Sequence, residues 1–447
     1  MTMVRTGIEA KKYKPYTLNN FKQIPQIQNL PEELVFNMEV VGNVLPFRAN
    51  NYVVEELIDW NNIPNDPIFV LTFPTKGMLS EAHFNRMAEL IRSNAPKDEI
   101  KRVANEIRLD LNPHPAGQLE HNVPTLNDEK VVGTQHKYNE TVLFFPTQGQ
   151  TCHAYCTFCF RWAQFVGMDD LKFATKEAET LLKYLKEHKE VTDVLFTGGD
   201  PMVMRTKNIR AYFEVLLKAK ENGEIPHVST IRIGTKALSY WPYRFVTDPD
   251  ADDLLNLFKE ANECGIHISV MAHFNHLNEL KTDVVERAIQ AIRSTGAQLR
   301  TQSPLLTHIN DDADMWAAMW KKQVSLGLIP YYMFVVRDTG AQDYFGISLE
   351  RAWEIFHNAY IQIPGIARTV RGPSMSAGPG KVQVLGVSEV AGEKVFVLQF
   401  LQGRNHDWAT RPFFAKYKPD AIWLDDLEPA FGEKEFFFEA EYKEKYS

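Results

Sequence analysis

Six short β-rich runs separated by amphipathic helical stretches constrain this chain more than any other feature. TVLFFPT, DVLFTGG, TIRIGT, HISVMAHF, QLRTQSPLL and IPYYMFVV follow one another between residues 141 and 336. KEAETLLKYLKEH, DDLLNLFKEANE, DVVERAIQAIRS and DMWAAMWKKQVSLG lie between them, with apolar residues at helical spacing and turn residues at the junctions. Such alternation calls for a parallel sheet, because each crossover must carry the chain back along the sheet before the next strand can join. The expected class is α/β, with a partial TIM-type (βα)6 barrel over 141–345. An α-rich N-terminal extension, 1–140, precedes it, with helical stretches at 80–93 and 97–107 and a Pro- and Asn-rich connector, LNPHPAGQLEHNVP. A C-terminal α+β segment, 346–447, follows, with a helix (LERAWEIFHNAY), a Gly/Ser/Pro stretch (RGPSMSAGPGK) and strand-like KVQVLGV and KVFVLQFL.

In parallel βα folds the chemistry gathers where strands end. Here the ends of the runs carry Cys152, Cys156 and Cys159, then Gly198-Gly199-Asp200, then Thr235 and Lys236, then His273, Asn275 and His276, and last Arg337 and Asp338. Only four cysteines occur in 447 residues, and three fall within this one loop. Three thiols so close cannot all pair with one another, so a disulfide framework is excluded. Three thiolates can hold three irons of a 4Fe–4S cluster and leave the fourth iron open to a ligand. The alternative is a zinc-stabilised protein without catalytic activity, but structural zinc needs a fourth ligand, and His153 is adjacent to Cys152 on a tight loop. A net charge of −8, from 49 Lys and Arg against 57 Asp and Glu, gives nucleic-acid binding no support. No apolar stretch is long enough to span a membrane and the first residues lack a signal-peptide core, so a cytoplasmic location is expected.

CxxxCxxC after the first strand of a βα barrel resembles the radical S-adenosylmethionine superfamily. CTFCFRWAQF, LFTGGDP, IRIGTK, HFNHLNE, TQSPLLTHIND, IPYYMFVV and SAGPGKVQV narrow the resemblance to the lysine 2,3-aminomutase family, over roughly residues 80 to 385. The resemblance implies a 4Fe–4S cluster on the three cysteines and S-adenosylmethionine on its open iron. Gly198, Gly199 and Asp200 would contact the methionine amino group, with Thr235, His273 and Asn275 also at the cofactor. Read without the family, GGDP is a strand-to-helix turn with an aspartate cap. The second implied cofactor is pyridoxal 5′-phosphate on Lys381, which makes 346–447 the coenzyme-binding segment. Without the family, Lys381 is a surface lysine after a Gly/Pro turn. Gln302 matches a residue near the coenzyme, Lys137 stands where an arginine would hold its phosphate, and a second such arginine is replaced by Thr141.

Arg161 matches the arginine that binds the substrate α-carboxylate. The two aspartates that hold the distal ammonium of lysine are replaced by Arg337 and Ser374, and a cation there repels a cation. Arg337, with Arg371 or Arg368, therefore implies a distal carboxylate and a 2,3-aminomutase of glutamate or aspartate that moves the amino group from C2 to C3. Against this stand a role for Asp338 toward lysine and a simple Arg337 pair with Asp338 or Asp343. Two further readings keep the cofactors: decarboxylation or fragmentation of an acidic amino acid, and isomerisation of a lysine on a translation factor. The chain length and Arg337 oppose the second. The expected partners are a small-molecule amino acid, a reductant such as flavodoxin or ferredoxin, and a further copy of the chain. The family's C-terminal zinc cysteines are missing, since the one remaining cysteine is Cys264, expected in a helix and in the core. An oligomer would then use another surface, with the aromatic tail FFFEAEYKEKY a candidate.

Overall fold

The computed structural model describes residues 7–112, 122–166, 175 and 178–446, so most of the connector 111–124 lies outside the described residues. All six β-rich runs are strands of a single eleven-stranded sheet in which every strand pairs with its neighbour in sequence. Its strands are β1 (Thr134–Tyr138), β2 (Thr141–Phe144), β3 (Asp193–Phe196), β4 (Thr230–Thr235), β5 (His267–His273), β6 (Gln298–Leu305), β7 (Ile329–Val335), β8 (Arg371–Ser376), β9 (Gly380–Val390), β10 (Glu393–Gly403) and β11 (Pro412–Lys416). From β2 to β8 the pairing is parallel. At one edge β1 is antiparallel to β2, and at the other β9 to β11 form antiparallel hairpins.

The helices expected from periodicity are present, and Glu32–Val44 and Thr206–Glu221 add two that the sequence reading did not name. The N-terminal region contributes α1 (Glu32–Val44), α2 (Glu81–Arg92) and α3 (Lys97–Asp110). The crossovers are α4 (Ala178–Glu187), α5 (Thr206–Glu221), α6 (Ala251–Glu263), α7 (Asp283–Arg293) and α8 (Ala313–Ser325), and α9 (Leu349–Tyr360) precedes β8. Gly265 and Gly327, both at positive φ, turn the chain out of α6 and α8 into the next strand, a conformation that costs glycine no Cβ clash. No helix among the described residues is long and apolar enough to cross a membrane.

Three features of the fold differ from the sequence reading. RGPSMS, expected as part of a Gly/Ser/Pro segment, is the parallel strand β8, so there are seven parallel strands. Its glycine and proline have poor strand propensity, yet it is framed by β7 on one side and β9 on the other. The aromatic tail is not a free surface: Phe436 and Phe438 are buried against Phe400, Trp408 and Phe413, in a second core over the C-terminal hairpins. Cys264 follows the last turn of α6 half-buried rather than sitting in the core, with Sγ 3.6 Å from the Leu217 carbonyl. The larger core is continuous between the N-terminal helices and the barrel.

Candidate active site

The cysteine loop leaves β2 and is held chiefly by the N-terminal region. Arg48 donates to Thr151 Oγ1 (2.8 Å) and to the Cys152 carbonyl (3.3 Å). Tyr13 and Asn50 donate to the His153 carbonyl (2.7 and 3.1 Å), and Thr157 to that of Val70 (2.8 Å). All three thiols are free of disulfides. Burial pushes Cys156 up to about 11 and Cys159 up to about 12, and Cys152 rises well above the usual thiol range, with the neighbouring thiols adding to it. Uncompensated sulfur charge in such a place calls for cationic ligands. No three His, Cys, Asp or Glu side chains among the described residues converge on one ion position. His153 packs its ring edge-on against Tyr13 (5.8 Å), and burial drives it down to about 3.

Gly198 and Gly199 lie directly against this loop. A Cβ on Gly199 would collide with the Thr151 backbone, and Gly198 lies against the Gln150 side chain at a positive φ that favours glycine. Asp200 is a different matter. Its carboxylate accepts from Thr235 Oγ1 (2.7 Å), Met202 N (2.9 Å) and Lys236 N (2.8 Å), and burial raises it to about 6. It clamps two strand ends together through these three hydrogen bonds. Thr235 is likewise occupied, donating to Asp200 and accepting from Ala237 N (2.9 Å). Asn275 accepts from Lys236 Nζ (2.8 Å) and donates to Ser303 (2.9 Å), so it too is internal support. His273 differs: its ring lies 5.7 Å from that of Phe158, and its buried Nε2 has no hydrogen-bond partner. An orphaned ring nitrogen and a glycine backbone beside the cysteine loop fit a small polar ligand such as S-adenosylmethionine.

A cavity of about 630 Å³ opens on the other side of Arg161, lined among others by Lys137, Tyr138, Arg161, Arg337, Lys381 and Arg404. Lys381 Nζ donates to Gln402 Oε1 (3.1 Å) and lies 4.3 Å above the Tyr332 ring. Burial, then Arg232 and Arg371 nearby, bring Lys381 down to about 7, which suits an amine that must attack a carbonyl near neutrality. The turn Ser376 to Pro379 lines the same wall, and its Gly378 lies against Tyr442 with no room for a side chain. Lys137 donates to the Ala377 carbonyl (2.5 Å) and Arg404 to that of Gly378 (3.0 Å), so two basic side chains flank this turn, and burial, with Arg404, Arg337 and Lys381 nearby, drives Lys137 well below the usual lysine range. An accessible desolvated lysine, an aromatic wall and a turn flanked by Lys137 and Arg404 fit pyridoxal phosphate. Arg161 and Arg337 both lie over the Phe160 ring, at 5.4 and 5.3 Å. Burial lowers Arg161 to about 10, and Arg337 contributes to that. Arg337 makes a loose pair with Asp338 at 3.7 Å, through an Nε that has no hydrogen-bond partner.

Several expected residues lie elsewhere. Ser374 is fully buried, donates to the Met333 carbonyl (3.4 Å) and is off the cavity wall, which Ser376 reaches at the end of the same strand. Gln302 is paired in register with His273 and Tyr332 and is not part of the wall. Arg371 stacks on Tyr331 and Tyr332, and Arg368 donates to the Ile363 carbonyl, so neither joins Arg337 on the cavity. Thr141 does line it, donating to Asp193 and accepting from Arg232. Arg232, bound to Asp193 through Nε (2.9 Å), was missed, although a lone arginine alternating within TIRIGT is a readable sign of a polar strand face. Gln402 and Arg404 come from the end of β10 and had no local signal.

The radical SAM superfamily model matches residues 148–317. A protein of Aquifex aeolicus provisionally named L-lysine 2,3-aminomutase is 33% identical over 403 residues, which cover 90% of this chain and 92% of that one. The L-lysine 2,3-aminomutase of Clostridium subterminale is 27% identical, covering 66% of each chain. The glutamate 2,3-aminomutase of Clostridioides difficile is also 27% identical, covering 52% of this chain and 51% of its own.

Proposed function

Because the chain belongs to the lysine 2,3-aminomutase-like family of radical S-adenosylmethionine enzymes, isomerases that use a 4Fe–4S cluster and pyridoxal phosphate, we propose that it moves the amino group of an acidic amino acid from C2 to C3. The observation that carries the acidic preference is that Arg161 and Arg337 share the Phe160 wall of the Lys381 cavity. Two guanidiniums on one wall repel each other, and a dicarboxylate relieves both, whereas the ammonium of lysine would add a third cation. When bound, S-adenosylmethionine supplies the hydrogen-abstracting radical and pyridoxal phosphate the π-system that stabilises the substrate radical.

The chain's own residues bind and orient. Cys152, Cys156 and Cys159 hold the cluster, the Gly198–Gly199 backbone and His273 border the S-adenosylmethionine, and Lys381 carries the coenzyme. Lys137 and Arg404 supply positive charge for its phosphate. Arg161 grips the α-carboxylate bidentately and fixes C3 relative to the cluster side of the cavity. Arg337 takes the distal carboxylate.

A second reading, lysine as substrate, is favoured by Asp338 on the same wall. The test is a panel of glutamate, aspartate and lysine offered to the reconstituted enzyme, scored by 5′-deoxyadenosine release and by NMR of the product. We expect turnover of a dicarboxylic acid with mass conserved, and Arg337→Asp should shift the preference toward lysine by at least about tenfold, or about 1.4 kcal/mol. Turnover of lysine alone by the unaltered enzyme would sink the acidic assignment.

A further inference from the structure

Beneath the cysteine loop lies a buried polar stack that the functional reading does not use. The short helix Ala237–Tyr240 follows β4 and brings the Tyr240 hydroxyl to 3.2 Å from Cys156 Sγ. Tyr240 is 1% exposed, and its carbonyl accepts from Asn50 Nδ2 at 2.9 Å, which ties its backbone to the N-terminal region. Its ring is held from the other face by Lys236, whose Nζ is 4.5 Å from the ring centroid. Lys236 is itself fixed: it donates to Glu279 (2.6 Å) and Asn275 (2.8 Å), with Glu279 completely buried. The phenol thus has one orientation, with its oxygen at the sulfur.

A cluster-bound cysteine is a thiolate and can only accept, so the phenol must donate. A donated hydrogen bond stabilises sulfur more as electron density on it grows. It therefore favours the reduced cluster over the oxidised one and raises the reduction potential. A cation over the ring withdraws electron density from the phenol and strengthens the donor.

We propose that Tyr240 is a positioning and tuning residue for the cluster, its hydroxyl hydrogen bond to Cys156 raising the potential at which the cluster accepts one electron from an external one-electron donor. No bond to carbon forms or breaks in this step, and the electron comes from the donor alone. The inference rests on the reading that Cys152, Cys156 and Cys159 hold a 4Fe–4S cluster.

Tyr240→Phe removes the hydroxyl and keeps the ring. The experiment measures iron and sulfide content, then the potential by EPR-monitored titration of the reconstituted protein without substrate. The expected result is unchanged iron content with the reduced-to-oxidised ratio about threefold lower at a fixed applied potential, or about 28 mV at 59 mV per decade. Replacement of Tyr240 by 3-fluorotyrosine, a stronger donor of nearly the same shape, is expected to move the ratio the other way and provides the readout if the phenylalanine variant fails to assemble. A loaded cluster whose potential is the same with tyrosine, phenylalanine and fluorotyrosine overturns the proposal. Unaltered protein that takes up no iron and sulfide overturns the cluster reading instead.

Discussion

Lys381 shows how one side chain acquires its chemistry from where it is placed. An exposed lysine stays protonated near neutrality and cannot attack a carbonyl, whereas burial beside Arg232 and Arg371 brings this one to about 7. The proton leaves as pH rises through that value, so uptake of pyridoxal phosphate, followed by its visible absorbance, is expected to be slow at about pH 6 and fast at about pH 8. Lys381→Ala should abolish the band, and a band that survives would remove Lys381 from the role. The same shift has a consequence for the coenzyme-free protein. The folded value lies below the ordinary 10.5, so the cost of burying this amine is present in full below about pH 7 and is relieved as pH climbs toward 10.5. Lys381 was legible in sequence only through SAGPGK. Its partner Gln402 was not, because a residue at the far end of a hairpin carries no local mark of what it will face.

At the scale of elements, the ends of β3, β4 and β5 are locked together by side chains expected to meet a cofactor. Asp200 joins β3 to Thr235 and Lys236 at the end of β4, and Lys236 joins that end to Asn275 and Glu279 beyond β5. The motif residues were visible in sequence, but their direction was not, since a strand end can turn its polar group toward a ligand or toward the next strand. Glu279→Gln leaves the Lys236 charge buried without a counterion and is expected to destabilise the protein by about 3–5 kcal/mol, measured by urea unfolding. A loss well under 1 kcal/mol would mean that Lys236 finds water or another acid. The cysteine loop follows the same logic: Tyr13, Arg48 and Asn50 hold it from a region whose sequence gave no hint of function.

Across the whole molecule, the Lys381 cavity is closed by parts distant in sequence. β1 supplies Lys137, the barrel supplies Arg161 and Arg337, β9 and β10 supply Lys381 and Gln402, Arg404 follows β10, and Tyr442 in the tail packs on Gly378. The tail stays there because its phenylalanines fill the second core. Phe438→Ala should therefore cost about 3–5 kcal/mol and loosen coenzyme retention, read by urea unfolding and by dialysis of the loaded protein. Retained coenzyme in a destabilised variant would confine the tail to a packing role.

The sequence by itself determined the alternation of six strands with helices between residues 141 and 336 and the three-cysteine loop, because hydrophobic periodicity and close cysteine spacing are local properties that survive in any context. It also placed Arg337 at a strand end and Arg161 just after the three cysteines. Only the tertiary structure decided that these two arginines share one aromatic wall, that Asp200 and Asn275 face inward, and that RGPSMS is a strand. Each of these depends on which surface a neighbouring element presents, and that is fixed only when the sheet, the N-terminal helices and the tail have packed together.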